Sequence, residues 1–175
     1  NLNTMFKIQI FKSKNTWFSS TLAIFLFASG CQEETISSTM LLDPVAAVGD
    51  AVSISNSGFE SDWSGWNDTD PSSISGVRNS GSKSAKISGS GGRFDRSISV
   101  KANTEYTLSA YVLGGWRIGA EFGSNRKTRS GNATNWKKES VTFTTGSSTT
   151  ITVLGEFNSV EGRFDDFDLI EGQGS

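Results

Sequence analysis

The chain of 175 residues has no histidine, a single cysteine and only two prolines. Without histidine it lacks the commonest general base, the Ser-His-Asp and Cys-His nucleophile systems, and the imidazole ligands of many zinc and iron sites. A single cysteine allows no disulfide within the chain. No glycine-rich loop lies between a strand and a helix, so phosphate binding has no support either. Most enzyme classes are thereby excluded.

Carboxylate chemistry is the main catalytic option that remains, because two Asp or Glu side chains are enough to hydrolyse a glycosidic bond. The glutamates and the adjacent Asp165 and Asp166 fall mostly at strand ends or on faces without aromatic neighbours. A polysaccharide lyase using Tyr and Arg would depend on Tyr106 or Tyr111, and Tyr106 has the spacing of a core residue. We predict that the chain is not an enzyme, with a small lyase or hydrolase as one alternative.

Long apolar runs are scarce, and the clearest one lies near the N-terminus. TLAIFLFA follows a basic start and precedes small residues and Cys31, which is the order of a secretory signal. Its roughly ten residues are too few to span a bilayer, which takes about 20. ASGC resembles a bacterial lipobox, so we predict a lipoprotein signal peptide at 1–30 and lipidation of Cys31. The alternative for Cys31 is a buried thiol.

The segment after Cys31 predicts where the protein goes. Its QEE resembles the surface-export signals of Bacteroidetes lipoproteins. This resemblance implies an exported outer-membrane lipoprotein on the cell surface. Residues 31–52 have no strong period, and we interpret them as the lipidated cysteine and a linker.

Residues 53–172 have the pattern of one β-domain, followed by a tail at 173–175. Short alternating runs recur between turn signals, which is typical of a β-sandwich or barrel. These runs are KSAKISGS, RSISV, EYTLSAYVL, RIGAEF, ESVTFTT, TITVLGEF and RFDDFDLI. We predict an all-β sandwich with a single core.

Charge is unevenly spread although the formal net charge is only −2. Residues 93–138 hold nine basic side chains against three acidic ones, and residues 139–175 hold seven acids against Arg163 alone. This asymmetry favours an anionic partner for the middle of the domain. The alternative is ordinary solvated strand faces, with Arg126, Lys127 and Arg129 in a mobile basic loop.

Five pieces of sequence, in order, are similar to carbohydrate-binding modules of families four, nine, sixteen and twenty-two, most closely family sixteen. They are NSGFESDWSGW, RNSGSKSAKISG, RSISVKANTEYTLSAYV, TNWKKESVTFTT and GRFDDFDLI, which together span about residues 53–171. The resemblance implies a jelly-roll sandwich of the galactose-binding-domain type. Ser57 stands where glycine is common, and 113–135 is not typical, so the resemblance does not identify the sugar.

Strand alternation supports the same interpretation. In EYTLSAYV the residues Tyr106, Leu108, Ala110 and Val112 share one face, and Thr107, Ser109 and Tyr111 share the other. In ESVTFTT, Val141 and Phe143 point inward while Ser140 and Thr142 point outward. A face of small polar groups with occasional aromatics suits a glycan, which needs hydrogen bonds for its hydroxyls and an aromatic surface for its C–H face.

The resemblance also implies a structural calcium ion shared by the first and last strands. By position, Glu60 and either Asp165 or Asp166 are the implied ligands, with Asp165 favoured, together with backbone oxygens of the turn from Ser80 to Lys83. Carboxylate and backbone oxygens suit calcium, which takes six to eight hard ligands. The alternative is that these carboxylates ring a sheet edge or accept hydrogen bonds from turn N–H groups.

The aromatic residues divide into core and ligand candidates. Trp66 and Trp136 match core positions of the resembling modules, and Trp63 fits either role. We predict Trp116 as the sugar platform, because it follows LGG and stands beside a basic residue. The further predicted ligand contacts are Tyr111 on the polar face, Arg117 and Arg93.

The predicted function is a surface-anchored, monomeric module that binds polysaccharide without cleaving it and targets an attached or associated polysaccharide-degrading enzyme. The basic middle of the chain favours alginate or another uronic-acid glycan, bound by arginine–carboxylate pairs. No nucleic-acid partner is expected, and the membrane is contacted through the lipid anchor alone. The alternative from another class is an adhesion or protein-interaction domain on the same fold.

Overall fold

The computed structural model describes residues 49–172, which form strands and turns without a helix. The eight strands are β1 Ala51–Val52, β2 Asn67–Thr69, β3 Ser72–Ser75, β4 Ser84–Ile87, β5 Arg93–Ser99, β6 Glu105–Phe122, β7 Asn125–Thr144 and β8 Thr150–Glu171. The predicted signal peptide, Cys31, the predicted linker up to residue 48 and the tail at 173–175 lie outside the described residues. The prediction of an all-β fold is confirmed.

Strand β8 is the centre of the sheet. It pairs antiparallel with β6 along most of its length on one side. On its other side it pairs in turn with β5, β4 and β1. Strand β7 forms a long hairpin with β6, while β2 and β3 extend the sheet from β5 and β4.

The long hairpin bends back on itself and makes two layers from one sheet. The pairing register shifts on both sides of Gly114, whose φ of 77° and close approach to the carbonyl of Glu161 leave no room for a side chain. The ring of Phe122, at the end of β6, stacks 5.2 Å from that of Phe143, which lies across from the start of β6. The outward faces of the two layers therefore point in opposite directions.

We call these halves the first layer and the second layer. The first layer contains β1, β3, β4 and residues 105–112, 137–144 and 162–171 of β6, β7 and β8. The second layer contains β2, β5 and residues 116–122, 125–131 and 150–157 of the same three long strands. This is the predicted β-sandwich.

Apolar side chains from both layers form one core. The predicted inward residues Tyr106, Leu108, Ala110 and Val112 are all at most 1% exposed. At one end of the sandwich Phe59, Trp66 and Phe94 pack with ring centroids 5.1–5.5 Å apart. Burying a large apolar side chain contributes roughly 1.5–3 kcal/mol, so this core is the main source of the domain's stability.

The strands are longer than alternation alone predicted. EYTLSAYVL and RIGAEF belong to one strand, β6, and TITVLGEF and RFDDFDLI belong to another, β8. The basic segment predicted as a mobile loop is instead part of β7, because Gly123 adopts a φ of 57° and closes a tight hairpin turn between Phe122 and Asn125. Strand β1 begins at Ala51, two residues before the predicted start of the domain.

Candidate functional site

A polar pocket of about 390 Å³ opens beside the loop between β4 and β5. Arg93, Glu156 and Arg117 are register partners on β5, β8 and β6, so they form a row across three neighbouring strands. Their side chains alternate with core residues and point outward from the second layer. The remaining lining residues are Ser90, Gly91, Gly92, Phe157 and Asn158. The pocket thus combines charged groups and an amide, while the ring of Phe157, the register partner of Trp116, packs against the core.

Arg93 is held by three carboxylates. Its Nε donates to Asp95 at 2.9 Å, and its terminal nitrogens donate to both oxygens of Glu121 at 3.0 Å and to Glu156 at 2.9 Å. These contacts raise the pKa of Arg93 and, with the hydrogen bond from Arg93 as the main cause, lower the pKa of Glu121. Glu121 is therefore ionised at neutral pH and unsuited to act as a general acid.

Two further arginines complete the network. Arg126 donates a short hydrogen bond to Glu156 and lies 3.5 Å from Glu121. Arg117 is held more loosely, 3.7 Å from Glu156 and 3.5 Å from the Asn158 amide oxygen. Three arginines face three acids, which are Asp95, Glu121 and Glu156, so the cluster is neutral overall. Arg117, with its side chain 36% exposed, is the least engaged of the three.

Trp116 is a core residue, which corrects its prediction as the sugar platform. It is 3% exposed and belongs to the buried core. Its ring lies over Gly131, where a side-chain carbon would come within 2.9 Å of the indole. Because Arg117 points outward, its neighbour on the strand must point inward. Among the described residues its Nε1 is the one fully buried side-chain polar atom without a hydrogen-bond partner.

The other predicted ligand residues lie apart from the pocket. Trp63 is partly buried and packs against the core, with its ring centroid 5.7 Å from those of both Phe59 and Phe94. Tyr111 is half-buried on the outward face of the first layer. The structure therefore brings together Arg93 and Arg117, but not Trp116, Tyr111 or Trp63.

The two tryptophans predicted as core residues differ. Trp66 is 5% exposed, and its Nε1 donates to the Asn56 carbonyl at 2.9 Å, so that prediction is confirmed. Trp136 is half-buried and belongs neither to the buried core nor to the side chains packed against it. Its prediction as core is wrong, because it lies within the irregular stretch of β7 opposite Leu113, where β7 has two extra residues.

Glu156, Phe157 and Asn158 were not predicted as site residues. Asn158 donates from its amide to the Gly131 carbonyl at 3.2 Å, and Phe157 pairs with Trp116 across the sheet. The row formed by Glu156 with Arg93 and Arg117 depends on strand register. Register between segments 28 to 63 residues apart is not visible in a single sequence.

The predicted calcium ligands meet at one turn. The Asp165 carboxylate accepts from the N–H groups of Asn79 and Ser80 at 2.8 and 3.2 Å, and Asp166 accepts from their side chains. Glu60 accepts from Ser82 N–H at 2.9 Å. The N-terminal loop and β8 also meet directly, since Phe167 donates to the Ser57 carbonyl.

These carboxylates are arranged as hydrogen-bond acceptors. Glu60 accepts a further bond from the Lys83 N–H at 3.1 Å, while the Lys83 ammonium pairs with Asp62 at 2.7 Å. Residues 49–172 contain no group of three or more His, Cys, Asp or Glu side chains placed to hold a metal ion. As arranged, the turn presents donors to the carboxylates, which does not fit the all-oxygen shell of calcium. Calcium at this turn stays a prediction.

Asp165 is the buried member of this group. It is 0% exposed, and burial raises its pKa to about 6, against the lowering effect of the hydrogen bonds from Ser80 and Asn79. It also accepts from the N–H of Asp166, which adopts a φ of 48°. Asp165 thus has three N–H partners and, within residues 49–172, no paired cation, so its charge state affects the stability of the fold.

A protein-family model and a known relative both match this chain. The model of a family described as a carbohydrate binding domain matches residues 51–159. Exochitinase 1 of Streptomyces olivaceoviridis is 30% identical over 145 residues, covering 78% of this chain but 24% of that protein. The chain therefore spans about a quarter of the length of this relative.

Several solved structures of similar fold are carbohydrate-binding modules. A family 16 module is 23% identical, with a TM-score of 0.55, covering 66% of this chain and 97% of that one. A family 61 module in complex with β-1,4-galactotriose is 19% identical, with a TM-score of 0.51, covering 70% and 100%. The CBM22-1 xylan-binding domain of Paenibacillus barcinonensis Xyn10C is 13% identical, with a TM-score of 0.52, covering 73% and 98%. At these identities the similarity establishes the fold.

Proposed function

Since the chain belongs to the carbohydrate binding domain family, we propose that its polysaccharide ligand binds in the pocket lined by Arg93, Arg117, Glu156, Phe157 and Asn158. The module is not itself catalytic. The observation that carries the proposal is the convergence of a guanidinium, a carboxylate and an amide in one pocket of about 390 Å³. Pockets that bind small ligands have volumes of about 300–1,000 Å³, so this one accommodates part of a glycan chain.

The roles of the pocket residues follow from their surroundings. Arg93 has most of its donors committed to carboxylates, so it fixes the position of Glu156. Arg117 retains free N–H groups, because its two contacts are at 3.5 and 3.7 Å. Arg117 donates to sugar hydroxyls, the Glu156 carboxylate accepts from them, and the Asn158 amide can do either. Phe157 lines the pocket next to Glu156, but its ring packs against the core, because it is the register partner of Trp116.

The charge balance of the pocket favours a neutral glycan. Asp95, Glu121 and Glu156 offset the three arginines, so a uronic-acid carboxylate would compete with acids already in place. A buried acid brought beside Glu156 also meets like-charge repulsion. Alginate, favoured by the sequence, stays a prediction. The same experiment tests both ligands.

Targeting of an enzyme is the role we propose for this binding. The relative named an exochitinase is about four times longer than the segment it shares with this chain, which supports attachment of such a module to a glycoside hydrolase. Anchoring through Cys31 at the cell surface is proposed from the sequence alone.

Affinity electrophoresis tests the pocket. We expect retardation of the protein in at least one of glycol chitin, xylan, β-1,4-galactan, neutral β-glucan and alginate gels. Arg117→Ala should weaken binding by about tenfold or more, since a hydrogen bond from a charged group is worth roughly 1.5–3 kcal/mol. Arg78→Ala is the matched control, because Arg78 bonds to backbone carbonyls of its own turn. Equal retardation of Arg117→Ala and wild type would remove the pocket from the site.

The panel also decides the ligand and the class of function. Retardation in alginate that weakens with salt would favour the uronic-acid prediction, because exposed charges are screened within about 8 Å at 0.15 M. Salt-insensitive retardation in a neutral gel supports the neutral glycan. An adhesion or protein-interaction domain would show no saturable retardation in any gel.

A further inference from the structure

The outward face of the first layer carries two aromatic side chains that the core does not use. Tyr111 lies on β6, and its register partner on β7 is Lys138. Trp136 precedes Lys138 by two residues, so by strand alternation it points to the same side as Lys138 and Tyr111. Both aromatic residues are half-buried. We call Tyr111, Trp136, Lys138 and the neighbouring Ser140 the Tyr111 face.

Neither aromatic residue has its polar atom engaged by the protein. Within residues 49–172, the Tyr111 hydroxyl and the Trp136 Nε1 make no hydrogen bond, and neither ring contacts another aromatic ring or a cation. Tyr O–H and Trp N–H groups generally have partners when they lie in a packed structure. Two such groups on one face of the sheet, without a hydrogen-bond partner in the described residues, are suited to an external hydrogen-bonding ligand.

The local fold presents Trp136 outward. Between the pairs Val112–Lys137 and Gly114–Ala133, strand β7 advances four residues while β6 advances two. The two extra residues form a bulge on the N-terminal side of Lys137, and Trp136, next to this last regular pair, keeps the alternation of Lys137 and Lys138. Among the described residues strand β7 pairs with β6 alone, so Trp136 lies on an edge strand of the sheet.

The Tyr111 face lies on the opposite side of the sandwich from the pocket. Tyr111 and Arg117 both point away from the core, but they lie on either side of the bend at Gly114. Phe122 stacks on Phe143, which shows that the second layer folds back over the first. One ligand chain in the pocket therefore does not also cover Tyr111 and Trp136 on the other side.

The chemistry of the Tyr111 face fits a neutral sugar chain. It offers two aromatic rings, two free donors and the Ser140 hydroxyl. Its one cation, Lys138, lies 3.9 Å from the Asp168 carboxylate, which balances its charge. Flat aromatic surface with hydroxyl-scale hydrogen bonds is what a pyranose ring requires. The occupant that this face fits is a polysaccharide strand.

We propose that the Tyr111 face is a second carbohydrate-binding surface, which lets one module bridge two polysaccharide chains. The ligand class rests on the proposed function, but the surface is independent of the pocket. Two sites on one body increase retention on a multi-chain substrate, because the second contact forms at a high effective concentration.

The test uses whichever of the five polysaccharides retards wild type most. Trp136→Ala and Tyr111→Ala should each weaken binding about 5- to 150-fold at this face, by analogy with bases stacked on aromatic side chains. Trp136→Phe should retain more binding than Trp136→Ala, because it keeps a ring. Thermal melting of each variant identifies any that is unfolded. If Tyr111→Ala is unfolded, Tyr111→Phe, which removes only the hydroxyl, replaces it.

Bridging has its own readout. Wild type should raise the turbidity of the soluble polysaccharide, while Trp136→Ala and Arg117→Ala should each bind as monovalent modules without raising it. The double variant should not be retarded. If Trp136→Ala abolishes both turbidity and retardation while Arg117→Ala behaves as wild type, the Tyr111 face binds polysaccharide and the pocket does not. Wild-type behaviour of both Trp136→Ala and Tyr111→Ala, as expected for a protein-binding face, would overturn the proposal, as would absence of wild-type binding to all five polysaccharides.

Discussion

Arg93 offers the sharpest test of how the pocket is held together. Its side chain is 25% exposed, and its three carboxylate partners are 13–35% exposed. Removing one partner of a buried ion pair costs 3–5 kcal/mol, whereas a surface pair is worth at most about 1 kcal/mol. Arg93→Ala leaves three acids against Arg117 and Arg126. We expect a loss of about 2–4 kcal/mol, between these limits.

Thermal unfolding at two pH values measures this effect. For a domain of this size 1 kcal/mol moves the midpoint by roughly 3–6 °C, so Arg93→Ala should melt about 6–24 °C below wild type at pH 7. Arg93 lowers the pKa of Glu121. The stabilisation from the Arg93–Glu121 ion pair is therefore present above the usual pKa of a glutamate, and it is lost as pH falls through the lowered pKa of Glu121.

The difference between Arg93→Ala and wild type should therefore shrink on acidification toward pH 3. Arg93→Lys keeps the charge but loses the planar fork that contacts both oxygens of Glu121, and we expect an intermediate midpoint. Arg78→Ala, which removes an arginine without a carboxylate partner, is the control. A difference of less than 1 °C at pH 7, or one that does not change with pH, would refute the reasoning.

The remaining predictions concern the turn at Asp165, the bend and the anchor. Burial raises the pKa of Asp165 to about 6 from the usual 3.8. The stability that the protonated carboxyl contributes is therefore complete below pH 3.8 and lost as pH rises through 6. Asp165→Asn should remove this decrease of the melting midpoint between pH 4 and pH 7. If Glu60 and Asp165 bind calcium instead, excess chelator should remove roughly 2.7 kcal/mol at a hundredfold excess of ion over its Kd, and an unchanged curve would contradict that. Gly114→Ala should lower the midpoint by several degrees, because φ is 77° and Glu161 leaves no space. Cys31→Ser should leave the protein out of the membrane fraction, since acyl chains supply the anchoring affinity.

Alternation predicted the core of the first layer because Tyr106, Leu108 and Val112 share one parity on an unbroken run. The same parity continues to Trp116, which is buried as well. The LGG before it was interpreted as the end of a strand, whereas Gly114 and Gly115 form a bend within β6. Trp116 could therefore have been predicted as core by extending one period across the glycines.

Trp136 shows the reverse case. It has the parity of the outward residues Lys138 and Ser140, and the opposite parity to the buried Val141 and Phe143. Its assignment to the core came from the family resemblance, which takes no account of the bulge in β7. Local alternation was the better guide at this position.

The charge of the pocket could not be predicted from the sequence. Residues 93–138 are rich in basic side chains, and this alone favoured an anionic ligand. In the fold, Glu121 and Glu156 come to Arg93 from positions 28 and 63 residues away. Local counts of charge ignore partners brought in by strand register, and register between distant strands is set by the whole sheet.

The bend at Gly114 connects these observations with function. It places Tyr111 and Arg117, which are six positions apart on one strand, on opposite outward faces of the sandwich. A straight β6 would put them on one surface, about 20 Å apart at 3.3 Å per residue, where a single glycan chain could contact both. The bend instead separates a pocket of balanced charges from an aromatic face whose one cation, Lys138, pairs with Asp168. Two surfaces of different chemistry on one strand are therefore a consequence of two glycines and a bulge, and variants of each surface should act on binding independently.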